Sequence, residues 1–459
     1  MLRRSFLRSS AVTLAAGLGS VKLARAMHQA EDRAGAVAQK NYPPLTGPFR
    51  LPREWYMSNY RRLQSVLAEK KLDAAVISST DNVQYLTGAF AVTTERPLWL
   101  WAPAKDQPML FYPGLDRDLW DSWDWPQQRT WYFDYPHSGE LNKVVWKAGS
   151  KTDLFDEALK YFRKNNTGTL RVGFERCLCE DEMPALKRSK ITAESKVIGP
   201  ALLHLRQVKT AEEIALSRVA MSLHDRMMDF ARDYILTHGT DATDFEVAHA
   251  TEAFGASELM KYLKLDSRPH TGVGVDVGFY CRTGVGTAYP HPNQFFYQRV
   301  QRGDAIQIAA GVRIGGYGGE GYRAMQVLPA NGSADPLRSK LWEVHTAMTL
   351  EQQKLSKSGV RCNEVGEGVL KLAREAGLEK YVYHRPAHGE GSEGHQAPYL
   401  SLGDNTVLEE NMTFSNEPGL YNPAGGFGYN HSNLVRVTKT GGEQMNQTPL
   451  TKEWCWIKI

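Results

Sequence analysis

Apolar positions fall in two rhythms along this chain, and the rhythm changes near residue 205. From Glu54 to Lys71, Tyr60, Leu63 and Leu67 recur at helical spacing while Arg61, Arg62, Glu69 and Lys70 point outward, so the pattern predicts a helix. The run Leu72 to Ile77 predicts a buried strand, Lys151 to Asn165 another helix, and Thr169 to Phe174 another strand. Helices alternating with strands up to about residue 200 predict a small α/β domain with a parallel or mixed sheet. Thr210 and Glu213 form a T-x-x-E capping box that opens a helix carrying Ile214, Val219 and Met221 toward a core. Asp244 to Leu263 continues in helical period. From Thr271 the pattern turns to short apolar runs broken by glycine, with Ala305 to Gly311 and Gly315 to Arg323 as a strand pair. Asp335 to Ser356 and Asn363 to Ala376 predict two helices over that sheet, the first with Asp335 as N-cap and Pro336 at its first position. Thr413 to Leu420 and Asn433 to Thr438 predict closing strands.

Composition adds an address. Apolar content of 42% and charged content of 23% are globular values, and a net charge of +4 over 459 residues gives no reason to expect a nucleic-acid partner. Arg3-Arg4-Ser5-Phe6-Leu7, the apolar run Ala11 to Val21 and Ala24-Arg25-Ala26 occur in the order of a twin-arginine export signal cut after Ala26. The expected order is a signal over 1–26, an extended lead-in over 27–45, an α/β domain over 46–205 and a second domain over 206–459. The mature chain, expected to be periplasmic or secreted, has no stretch long and apolar enough to span a membrane. Five scattered cysteines (177, 179, 281, 362 and 455) make no disulfide framework and no zinc-finger spacing, and are expected to be mostly buried thiols. Trp99, Trp101, Trp120, Trp123, Trp125 and Trp131 crowd a short region, as a core, a subunit interface, or a wall for a cationic or ring-shaped substrate.

The candidate chemistry lies between His388 and Pro398, with Asn416-Glu417-Pro418-Gly419 after it. His388-Gly389-Glu390-Gly391-Ser392-Glu393-Gly394-His395 interleaves two imidazoles with two carboxylates and three glycines. Imidazole and carboxylate are the usual ligands of a divalent ion and the usual general acids and bases.

HGxGxxxH followed by EPG resembles the C-terminal half of the creatinase, prolidase and methionine aminopeptidase family, the pita-bread fold. Asn82-x-x-Tyr85-Leu86-Thr87-Gly88 after the first strand resembles the start of the N-terminal domain of creatinase and aminopeptidase P. The resemblance implies an α+β architecture: a smaller creatinase-type domain before a curved antiparallel sheet with covering helices. It also implies a homodimer. The family's metallopeptidases hold two ions on five ligands. By the resemblance these positions are Ala309, Glu320, His388, Glu417 and Ser432, so two carboxylates are absent. Two neighbouring cations need bridging carboxylates to offset their repulsion, several kcal/mol for a unit pair at ~4 Å. An ordinary two-metal peptidase is therefore not expected.

Creatinase itself hydrolyses a carbon–nitrogen bond on this fold without metal, using a His at the position of His291. The resemblance thus implies a metal-independent hydrolase acting on a small molecule or short peptide. His291 is the expected main acid/base, with Glu320, His388, His395 and Glu417 around it and Tyr317, Arg323 and His431 contacting substrate. No cofactor is the first expectation. One divalent ion on Glu320, His388 and Glu417 is the alternative, in a peptidase of Xaa-Pro aminopeptidase or prolidase type or a dimethylsulfoniopropionate-lyase-like enzyme. A binding protein without catalysis on a peptidase fold is the third.

Overall fold

The computed structural model describes residues 25, 27–30, 32–35, 37, 40–90, 94–120, 125–133, 151–164, 168–192, 197–263, 274–291 and 297–459. The export-signal reading of Arg3, Arg4 and Ala26 and the Trp123 reading lie outside them.

The first apolar rhythm builds a six-stranded mixed sheet whose strands lie in the order Gln128–Tyr132 (β4), Met109–Pro113 (β3), Trp99–Pro103 (β2), Ala74–Ile77 (β1), Leu170–Phe174 (β5) and Ile191–Thr192 (β6). Its central strand β1 runs antiparallel to β2 and parallel to β5. The helix expected from Glu54 covers Arg53–Glu69 and buries Tyr60, Leu63 and Leu67. The tryptophans are mainly core. Trp99 and Trp101 join Phe111 and Phe162 on one side of the sheet, and Trp120 and Trp125 pack on the other with Tyr60 and Tyr112.

The second rhythm starts at the expected capping box. Thr210 Oγ1 accepts the Glu213 N–H, the Glu213 carboxylate accepts the Thr210 N–H at 2.6 Å, and a 28-residue helix follows, Ala211–His238. This helix and Asp244–Met260 pack on the three antiparallel strands β7 (Asp276–Thr283), β8 (Ala305–Ile314) and β9 (Tyr317–Val327). A second antiparallel sheet, with strands in the order Gln396–Leu400 (β11), Ala387–Gly389 (β10), Thr413–Asn416 (β12), Asn433–Val437 (β15) and Gly442–Gln444 (β16), meets β9 through a bridge between Tyr322 and Ser432. The helices Pro336–Leu355 and Cys362–Glu375 pack together and against it, and Asp335 caps the first as expected.

The segment between the two halves holds the glycine-rich loop in place. Buried Arg206 donates to Gln396 Oε1 (3.2 Å) and to the Glu393 carboxylate (2.8 Å), and Gln207 Nε2 donates to the Ala397 carbonyl (2.8 Å). Two cysteines depart from expectation: Cys281, Cys362 and Cys455 are buried, but Cys177 and Cys179 are exposed. They lie in the loop after β5, where no periodic pattern dictates burial.

Candidate active site

Strand alternation puts Glu320 in the cleft. Side chains on a strand point alternately to the two faces, and cross-strand partners share a face. Tyr280, Ala309 and Tyr322 form one such row, and Gly278, Gly311 and Glu320 the next. Phe279, Cys281, Ile308, Ala310 and Val312 fill the alternate positions and belong to the core under the long helix. The register is fixed by a two-residue turn, Gly315-Gly316, whose φ values of 61° and 82° match a type I′ hairpin.

The second half supplies the partners. β10 (Ala387–Gly389) lies between β11 (Gln396–Leu400) and β12 (Thr413–Asn416), which sets His388 opposite Ser415. His388 is fully buried. Its Nε2 stands 3.2 Å from Glu320 Oε1 and 3.3 Å from Glu417 Oε1, while Nδ1 donates to the Gly389 carbonyl at 3.1 Å. Both ring nitrogens face acceptors, so the ring is held as the doubly protonated imidazolium. Burial works against that charge, but the Glu320 hydrogen bond and the charges of Glu417, Glu390 and Glu320 outweigh it and raise His388 to about 9.

The two carboxylates are pushed apart. Glu320 is half-buried, and the loss of water around it raises it, but hydrogen bonds from His388, Tyr322 and Ser415 win and hold it well below the usual range. Ser415 Oγ donates to Glu320 Oε1 at 3.0 Å, and the Tyr322 hydroxyl donates to Oε2. Glu417 is raised by burial and by the Glu320 charge, against the pull of His388. A third carboxylate, Glu390, sits behind His388 with Oε2 3.8 Å from Nδ1 and is paired with Arg313. Burial carries it up to about 8 despite Arg313.

The mouth is built from other imidazoles. His395 stacks on His388 with ring centroids 3.7 Å apart. His384 Nδ1 donates to the Arg385 carbonyl at 2.8 Å, and its Nε2 lies 3.0 Å from the Tyr421 hydroxyl. His291 is exposed on its turn, close enough for its charge to act on His384 and His395.

Three expected substrate contacts are placed elsewhere. Tyr317 and Arg323 occupy the odd-numbered positions of β9, one residue out of phase with Glu320 and Tyr322, and point away from the cleft. Tyr317 is buried beside Trp55 and Glu213. Arg323 is fully buried and donates to the carbonyls of Ser432 (2.8 Å) and Pro449 (3.0 Å) and to Asn433 Oδ1 (2.8 Å). His431 is buried against Trp342 and His345, and its Nδ1 accepts the Ala324 N–H at 3.1 Å. Conversely, Tyr322, Ser415, Glu390 and Arg313 complete the site without having been singled out. Tyr322 was legible from its phase with Glu320, and Glu390 lies inside the HGxG stretch.

Paired divalent ions do not fit this donor set. Ala309 offers no donor, and Ser432 offers a neutral hydroxyl in place of a carboxylate, its Oγ engaged with Ser415 Oγ at 2.9 Å. A single ion has three donors. Among the described residues the ligand atoms of Glu320, His388 and His395 lie within 4.8 Å of one another, and Glu417 Oε1 lies 3.3 Å from His388 Nε2.

Comparison with known proteins agrees with this architecture. Residues 60–208 match the family described as Creatinase/Prolidase N-terminal domain, and residues 215–439 match Metallopeptidase family M24. The chain is 25% identical to a putative dipeptidase, YkvY, of Bacillus subtilis over 86% of this chain and 98% of that protein. It is 26% identical to an Xaa-Pro dipeptidase of Lactobacillus delbrueckii subsp. lactis over 85% and 97%. Among solved structures, the prolidase of Thermococcus sibiricus superposes with a TM-score of 0.67 at 19% identity, covering 86% of this chain and 97% of that one. The N-terminal domain of the chickpea FACT subunit SPT16 superposes at 0.65 with 14% identity, covering 88% and 99%. With a creatinase-type domain followed by an M24 domain, matched along nearly the full length of its relatives, this chain belongs to the pita-bread family of creatinase, prolidase and the Xaa-Pro peptidases.

Proposed function

We propose that the protein is a hydrolase that cleaves the amide bond of a short peptide-like substrate without the paired ions of its metallopeptidase relatives. The substrate class comes from relatives named Xaa-Pro dipeptidase. The single observation that carries the chemistry is His388 held between Glu320 and Glu417 at 3.2 and 3.3 Å. Two carboxylates whose environments push them apart, joined by an imidazolium, form a proton relay: one member is ionised and can accept, and another holds a proton and can donate. The ionised carboxylate takes the proton of the attacking water as oxygen bonds to the carbonyl carbon. His388 returns a proton to the leaving nitrogen as the C–N bond breaks. This geometry favours His388 over His291 for the inner proton transfer. His291, His384 and His395 at the mouth are left to contact the substrate.

A second reading rests on the Glu320, His388 and His395 donors, which suit one divalent ion in open coordination. When bound, such an ion would polarise the scissile carbonyl. We further propose export through the twin-arginine signal and assembly as a homodimer. The experiment is an assay of the purified mature chain on Xaa-Pro dipeptides and on guanidino and amide compounds, with and without chelator. Turnover that resists the chelator supports the relay. Turnover that needs one added ion supports the second reading. No turnover on any of these substrates removes both.

A further inference from the structure

We propose that Arg282 recognises the free carboxylate of the substrate, and so selects short peptides with an open C-terminus. This role rests on the amide-hydrolase reading above and narrows its substrate class. Strand alternation places the side chain. Cys281 and Thr283 on either side of Arg282 are buried on the core face of β7, so Arg282 shares the cleft face with Tyr280, opposite Gln307 of β8.

The guanidinium is anchored at one end. Its Nη1 donates to Gln307 Oε1 at 3.1 Å and to the Pro290 carbonyl at 2.9 Å, next to His291. Both hydrogens of Nη1 are then used, while Nε and Nη2 have no hydrogen-bond partner among the described residues. Those two atoms form the edge of the fork that takes a carboxylate by two parallel hydrogen bonds. Anchoring the other end fixes that edge before substrate arrives and lowers the entropy cost of binding. The phenols of Tyr322 and Tyr421 are close enough to act on the charge of Arg282. Tyr322 donates to Glu320, and the Tyr421 hydroxyl lies 3.0 Å from His384 Nε2. The guanidinium therefore borders both the relay and the mouth.

Its charge lacks an anion. Among the described residues no carboxylate pairs with Arg282, and burial lowers it against the pull of phenols and the Cys281 thiol alone. The buried arginines elsewhere are satisfied: Arg206 meets Glu393 at 2.8 Å, Arg226 meets Glu258 at 3.1 Å, and Arg323 directs its donors to carbonyls and Asn433. A half-buried guanidinium without a counter-charge on a cleft wall costs free energy, and an anionic ligand group recovers it. The Glu320 row of the sheet crosses β7 at Gly278, four residues or ~13 Å along the strand from Arg282. Tyr322 stands in the row between them, so a carboxylate on Arg282 is kept apart from the ionised Glu320.

The test uses the full chain and matched probes: N-acetylproline and N-acetylprolinamide for binding by calorimetry, alanylproline and its amide for turnover. The unaltered protein should favour the acid of each pair. Arg282→Gln should cut binding and kcat/KM for the acids roughly 10²-fold, as expected for truncating one member of a buried charge pair, and leave the amides unchanged. Arg282→Lys keeps the charge without the fork and should fall between. Arg385→Gln, at an exposed cation of the mouth, should keep the preference. Three results overturn the proposal: no preference for the acid in the unaltered protein; equal loss on acid and amide in Arg282→Gln, which marks support of the His291 turn alone; or a preference that survives Arg282→Gln and disappears in Arg385→Gln. Acid binding that depends on Arg282 without turnover of either peptide would keep the carboxylate site and remove the hydrolase reading instead.

Discussion

The buried pair His345 and His431 should make the catalytic half labile to mild acid. Both rings are fully buried, with centroids 4.3 Å apart, packed by Trp342. Among the described residues, neither nitrogen of His345 nor Nε2 of His431 has a hydrogen-bond partner. Burial therefore disfavours the charged form and holds His345 at about 3, with His431 also held far down. A depressed histidine contributes its full stability above its unfolded value of about 6.5 and loses it as pH falls below that. At about pH 5 the loss for His345 is roughly 2 kcal/mol, from about 1.4 kcal/mol per pH unit. That corresponds to about 4–8 °C in the melting midpoint of a domain of this size. Glu390 and Glu417, raised above the usual carboxylate range, act in the opposite sense over the same window, so the comparison needs a variant. His345→Phe keeps a flat ring against Trp342 and removes the site of protonation. Melting midpoints of both proteins at about pH 7.5 and about pH 5 should show the variant losing about 4–8 °C less on acidification. An equal loss in both proteins would refute the buried-imidazole account. The effect reaches the site, because His431 precedes Ser432, which is hydrogen-bonded to Ser415.

Other outcomes follow from the same geometry. Glu320→Gln keeps the shape but removes the charge that holds His388 protonated, so kcat should fall about 10²–10⁴-fold with little change in KM; an unchanged kcat would exclude Glu320 from the relay. Restoring the missing donors with Ala309→Asp and Ser432→Glu should raise divalent-ion content measured by mass spectrometry, and unchanged content would mean that charge at these positions does not limit binding. Arg3→Lys with Arg4→Lys should retain the protein in the cytoplasm, because the pair is read by a receptor and not as charge alone; unchanged periplasmic protein would remove the export assignment.

Periodicity carried most of the fold. The helices at 53–69, 211–238 and 336–355 bury their apolar stripe, and two of them begin at side-chain caps readable in the sequence. Glu320, His388 and Glu417 converge as their motifs implied. The misplacements share one physical source. On a strand, a shift of one residue moves a side chain to the other face, so Tyr317 and Arg323, polar neighbours of Glu320, serve the core instead. Burial of Arg323 was hidden because its partners are backbone carbonyls more than a hundred residues away. Glu390 lies in a glycine-rich run with no period to predict its burial; only the fold brings Arg313 to it from 77 residues upstream. Exposure of Cys177 and Cys179 was equally illegible, since a loop has no period.

Metal content measured on the same sample as dipeptide turnover tests the central claim most directly. The ion-free relay predicts less than one tightly held divalent ion per chain, turnover that survives a chelator, and its loss in Glu320→Gln. Two ions per chain, with turnover abolished by the chelator and restored by added metal, would contradict it.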